Sequence, residues 1–467
     1  MPRLVFQLTR SLVLTLACGI AACAVAEPLR VGAASVVLEA DNSMVISGGI
    51  GPHFAVGQEG QLRVVAVVLA QADQKVALVG CDVLFVTREL VEPALQRIAG
   101  SVGIPPDAVL VNASHTHHAP STTSLHGYGR SELFCRRLTD GIAQAVETAA
   151  LHVDGPARMY FAAEPERTVG QNSRLRLADG TIFWIGDSRD SLGPSGPLDP
   201  DLSLLSFRRT DTNDLLATVF NHSTHTIGTL SGDVRSPSFY GLAAQQLERE
   251  LGGTVCFLQG ASGSTHNLSL STQECKRRIE HAVRKALGAA RPVDVRTLRA
   301  ARREFAYRIR TFDEATEDAK VVSYCRKRAP SAADAYIEVF RGMRKKLRPL
   351  QGKTRHTQIQ AIVLGDTAIV GVPAEYFTVL GLDIKRRSPF PHTLVAELAG
   401  DWIGYLPDRD AFRLGGYQTW MGEHSYTEPG TGEQMADAVV ALLGKLHGPR
   451  APAAVGPAAQ PAVNGAP

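Results

Sequence analysis

Five short segments of this sequence gather side chains that can hold a metal ion or move a proton. They are Ser114-His115-Thr116-His117-His118, Asn221-His222-Ser223-Thr224-His225, the small-residue loop from Gln259 to His266 and Asn267, Pro373-Ala374-Glu375, and Trp402-Ile403-Gly404-Tyr405. On an extended segment His115 and His117 face the same side, so one can ligate a metal while the other reaches substrate or bound water. Two histidines and a carboxylate suit Zn2+ with one coordination position left open for water, whose pKa then falls to about 7. Each segment also has a plain reading. A strand-end histidine can be a hydrogen-bonded structural residue, Glu375 a helix-start acid, the loop at Gly260–Gly263 a tight turn, and Tyr405 a half-buried aromatic.

What separates these segments from their plain readings is the element that precedes each of them. Apolar, β-rich runs at 75–81, 108–113, 216–220, 254–258, 367–372 and 392–397 predict buried strands, and five of the six lead directly into one of the segments. Helical spacing is expected over 88–99, 241–251, 274–287 and 432–446. The alternation predicts an α/β fold with mixed, largely parallel sheets, flanking helices, and an active site at the carboxyl ends of the strands.

Bulk properties narrow the functional classes. The 467 residues can bury a large core, and a net charge of +3 calls for no nucleic acid. The 7 cysteines are dispersed without a CxxC pair, against a thiolate zinc site, and their pairing cannot be deduced. Arg3 and Arg10, a short apolar run and Ala24-Val25-Ala26 read as an export signal over 1–26, with an alternative cut that leaves a lipid-modified Cys23. Residues 27–447 are expected to form the catalytic unit, and the Ala/Pro/Gly-rich end, 448–467, a disordered tail. The Lys/Arg-rich stretch over 317–353 reads as a solvated helical face or, alternatively, as a surface for peripheral contact with anionic lipid.

The segments together resemble the neutral (alkaline, non-lysosomal) ceramidases. Ser114-His115-Thr116-His117 is similar to that family's Thr/Ser-His-Thr-His motif. Asn221 to His225 with Leu230-Ser231-Gly232-Asp233 resembles its Asn-x-x-x-His-Pro-Thr and downstream Ser-Gly/Ala-Asp segments. Gly371-Val372-Pro373-Ala374-Glu375, 385–390 and Gly404-Tyr405-Leu406-Pro407 resemble its Pro-Gly-Glu and Gly-Tyr elements, and the series runs in order over 29–446. The resemblance implies one Zn2+ per chain held by His115, His225, Glu375 and Tyr405, with His117 beside the metal as a partner of the reacting carbonyl or its oxyanion. A substrate-contacting arginine of the family maps to Ser173, which leaves Arg174 as the neighbouring candidate. Trp402 replaces a family tyrosine, Thr226 a proline, and His266 a loop serine; the C-terminal sandwich domain of the longer ceramidases has no counterpart here.

What this implies is hydrolysis of the N-acyl bond of ceramide or a ceramide-like lipid by an exported protein. His266 acts either as general acid toward the departing amine or as an orienter of the metal site. Asp233 either orients a ligand histidine or starts a turn or helix. Two other functions compete: a zinc hydrolase of another envelope amide or ester, and a non-catalytic metal- or lipid-binding protein. Oligomeric state is not legible.

Overall fold

The computed structural model of the chain describes residues 27–448, so the expected export segment, Cys23 and nearly all of the expected tail lie outside the described residues. Three large sheets form the framework: four strands in the order of the chain from Arg30–Val37 to Val109–Ala113, five strands centred on Asp201–Arg209, and four strands from Leu298–Arg308 to His392–Ala396. Arg63–Gln71 is buried at every position, because helices cover one face of the first sheet and the second sheet covers the other. That explains its unbroken apolar run in place of an alternating one.

Helices Arg88–Val102 and Glu132–Leu151 pack together, the latter against the first sheet. Ser238–Leu251 and Thr272–Ala289 pair beside the second sheet, and Thr431–His447 lies on the third. Ser131 and Ser271 start two of these helices, each side-chain oxygen accepting from a backbone N–H three residues on. The first and third sheets share one apolar core, while a second, smaller core lies between the second sheet and its helices.

The α/β class with mixed sheets is as expected, but parallel pairing is the minority. Most neighbours are antiparallel, several joined by tight turns such as Ala72-Asp73 and Gly365-Asp366, where Ala72 and Gly365 take the positive φ of 51° and 58° that two-residue hairpins demand. Each large sheet nevertheless contains one parallel pair: Gln74–Cys81 with Val109–Ala113, Leu215–His222 with Thr254–Gln259, and Thr367–Gly371 with His392–Ala396. A helix connects the two strands of each pair, as parallel neighbours require. Parallel strands end on the same side, and these three pairs supply the strand ends that carry the candidate residues.

Candidate metal centre

His115 follows Val109–Ala113 with φ of 61°, a left-handed conformation costly for a residue with a side chain. It is held by the Ser114 N–H donating to Cys81 O (2.8 Å) and by its own Nδ1 against Leu84 O (3.1 Å). His225 follows Leu215–His222, and its Nδ1 meets Ser262 O at 2.9 Å. Nδ1 of His117 meets Gly48 O at 3.2 Å. A carbonyl can only accept, so all three Nδ1 atoms are donors and all three Nε2 atoms carry lone pairs. Gly48 has φ of 105°, and a Cβ there would lie 2.6 Å from the His117 imidazole, so no other residue fits.

Those lone pairs converge. His115 Nε2 and His225 Nε2 each lie 3.6 Å from Glu375 Oε2, His117 Nε2 is 3.3 Å from His115 Nε2, and Tyr405 Oη is 3.2 Å from His225 Nε2. Glu375 and Tyr405 are opposite each other in a short parallel pair, and Trp402 Nε1 donates to Glu375 Oε1 (3.1 Å), turning Oε2 inward. Three imidazole acceptors and a carboxylate facing one another, with the Tyr405 hydroxyl as the donor among them, make a mutually repulsive cluster. A cation resolves that repulsion. Ligands at 2.0–2.1 Å around tetrahedral zinc stand roughly 3.4 Å apart, which matches the separations of His115, His225, Glu375 and Tyr405. His115, His117 and His225 also form a group able to hold a metal, so the donor set is larger than four.

Burial pushes the imidazoles toward neutrality: His115 and His266 fall to about 3, helped by the neighbouring histidines, and His117 well below its usual value. Burial pushes Glu375 upward, but hydrogen bonding, of which the Tyr405 hydroxyl is a donor, holds it below its ordinary value. Neutral imidazoles and an ionised carboxylate are the forms that bind metals.

The group opens into a cavity of about 440 Å³. His117, His225, His266 and Tyr405 line one side, while Phe183, Trp184, Ile185, Ile227 and Leu268 provide apolar walls. His266 stacks on His225 with centroids 5.1 Å apart, and its Nδ1 is buried without a partner. Tyr417 also lines the cavity, its hydroxyl 3.2 Å from His126 Nε2 and its ring stacked on Trp184 at 4.6 Å. Nothing in the spacing of the sequence singled out Tyr417 or Gly48; a tyrosine in a single 3-10 turn and a glycine in a loop carry no periodic signal.

One expectation needs correction and one alternative is decided. Arg174 is not in this cavity: its guanidinium donates to Gln418 Oε1 and to the carbonyls of Ala411 and Gly415, and packs over Phe377, so it braces a loop. Its neighbour Ser173 faces the cavity instead, because adjacent residues of an extended segment point oppositely. Asp233 pairs with exposed His53 at 2.8 Å, so it does not orient the candidate ligands; His115 and His225 take backbone carbonyls as orienters. Of the remaining clustered histidines, His222 bonds Tyr240 and the Glu166 carbonyl, and His118 accepts from Gly228 N–H. Both are structural.

A neutral ceramidase from Pseudomonas aeruginosa superposes on the chain with a TM-score of 0.68 at 17% identity, covering 90% of this chain and 75% of that one. This chain has the neutral ceramidase fold. A structure of a ceramidase complexed with C2 matches with a TM-score of 0.70, also at 17% identity and with the same coverage. No protein-family model matches the sequence, and comparison with curated proteins finds no match. The likeness is therefore one of fold, with the donor cluster at the ends of the parallel strand pairs.

Proposed function

We propose that the protein is an exported Zn2+-dependent hydrolase that cleaves the N-acyl amide bond of ceramide or a ceramide-like lipid. The observation that carries this reading is the convergence of His115, His117, His225 and Glu375, acceptor to acceptor, at one side of an apolar cavity. His115, His225, Glu375 and Tyr405 would hold the ion, one per chain, and Zn2+ supplies there the Lewis acidity that polarises a carbonyl and acidifies a coordinated water to a pKa of about 7. His117, with Nδ1 committed to Gly48 O, presents an acceptor nitrogen, so its role is to take the proton of the attacking water. That replaces the expected oxyanion contact, which needs a donor.

Donation to the oxyanion falls to the hydroxyl of the cavity-lining Tyr417, since Arg174 is committed elsewhere. The proton that His117 takes from the water is the one the departing amine receives, with His266, unpartnered at Nδ1 and within the cavity, placed to relay it. Phe183, Trp184, Ile185 and Leu268 take the acyl chain, which supports an N-acyl lipid over a polar amide. Export rests on the basic, apolar and small-residue order of 1–26.

The test is metal analysis of the mature protein together with turnover of fluorogenic N-acyl amides that include a ceramide analogue. One equivalent of zinc with turnover favouring long acyl chains supports the proposal. Zinc with turnover restricted to short or polar amides or esters replaces the substrate, and zinc without turnover makes the protein a binder.

A further inference from the structure

We propose that Glu397 is the positioning residue of this centre, fastening the segments that carry His225 and Glu375; the inference rests on the zinc reading. Glu397 follows His392–Ala396, the parallel strand of the third sheet, and is 0% exposed. It makes no ion pair with any described Lys or Arg, so its burial is not explained by a salt bridge. A carboxyl so placed is costly and must be held by hydrogen bonds.

The bonds it makes lead to the centre. Oε1 accepts from the Ser262 hydroxyl at 2.5 Å, and the Ser262 carbonyl is the group that fixes His225 Nδ1. Oε2 accepts from the backbone N–H of Tyr376 at 2.7 Å, the residue next to Glu375. One carboxyl group thus spans the supports of two candidate ligands that come from different sheets. Gln259 reinforces it, donating to Ser262 Oγ (2.7 Å) and to Thr224 O (2.8 Å) on either side of the same arrangement. The backbone of Glu397 is itself fixed, its N–H donating to Gln259 O at 3.0 Å and its carbonyl accepting from Asn112 Nδ2. His115 is held independently through Leu84, so removing the Glu397 carboxyl should loosen two ligands and leave the third in place.

Outer partners of metal ligands typically contribute about 10- to 100-fold to metal affinity. Co2+ binding by chelator competition, with the visible spectrum of the bound ion, tests this on full-length wild type, Glu397→Ala, Glu397→Gln and Ser262→Ala. Glu397→Ala should bind Co2+ at least about tenfold more weakly with a shifted spectrum. Glu397→Gln keeps an acceptor for Tyr376 N–H and should fall between it and wild type. Ser262→Ala removes only the hydroxyl strut and decides the matter if Glu397→Ala does not fold: a weakened, shifted Co2+ complex supports the role. Wild-type affinity and spectrum in the folded variants overturn it while leaving the metal reading standing. A wild-type protein that takes up no Co2+ or Zn2+ removes the metal reading itself.

Discussion

At the scale of the residue, the centre rests on which atom of each side chain is already committed. Because His115 and His225 spend Nδ1 on carbonyls, their Nε2 atoms have no role but to accept, and His115→Ala or His225→Ala should abolish both zinc content and turnover. His266→Ala should retain zinc by metal analysis and lose about 10²- to 10⁴-fold in kcat, the usual worth of a proton-transfer group. Gly48→Ala places a methyl against His117 and should lower kcat with the metal retained. His115, His225 and Glu375 stood out as metal-binding types soon after apolar runs, whereas the roles of the four, Tyr405 above all, came from the family resemblance. Arg174 was misread because an arginine one residue from its expected place faces the other way. Of the two readings open for Asp233, the orienting one falls away because a second partner for imidazole need not be a side chain at all.

At the scale of the element, the hairpin Leu175–Leu177 and Ser191–Pro194 brings Phe183 to Ile185 over the cavity. Arg328 ties it to helix Glu314–Arg328 through Asp179 and Asp190, and Tyr324 Oη accepts from Trp184 N–H at 2.7 Å. Trp184→Ala removes a wall and the stack on Tyr417, an apolar loss of about 2 kcal/mol, so KM for a long-chain N-acyl substrate should rise about 30-fold. The cations of helices Glu314–Arg328 and Ala333–Leu347 are largely matched by local carboxylates, Arg344 by Glu314 and Asp318, and Arg341 by Asp318 and Glu338.

Beside the Arg63 backbone N–H (3.0 Å), buried Asp82 is pushed up to about 7 by burial, against the pull of Arg63. The folded state therefore keeps a proton that the unfolded chain releases near pH 4, and stability falls as pH rises from about 4 to about 7. Asp82→Asn should remove up to about 1.4 kcal/mol per pH unit of that slope, read from urea midpoints between pH 5 and 8. The six strands that end near charged or histidine-bearing segments were legible. The antiparallel neighbours were not, because strands covered on both faces lose the alternation that marks them, and tight turns such as Ala72-Asp73 carry no glycine signal.

At the scale of the whole molecule, five free cysteines, Cys81, Cys135, Cys256, Cys275 and Cys325, are all buried, so no disulfide joins the described residues and non-covalent contact alone brings the three sheets together. The clustered lone pairs of the centre then work against that contact until a cation is present. Removing zinc with a chelator should lower the thermal midpoint, and saturating the site at about 1,000 times its dissociation constant should return about 4 kcal/mol, checked by calorimetry with and without added Zn2+. His115, His225 and Glu375 each stand beyond a strand of a different sheet. Under the zinc proposal no single supersecondary unit would therefore capture the ion tightly, and high affinity would arise only after the sheets have docked. Under the zinc proposal, metallation would report completion of tertiary assembly: a stalled or truncated chain would stay a weak chelator, and the native molecule alone would compete for scarce zinc.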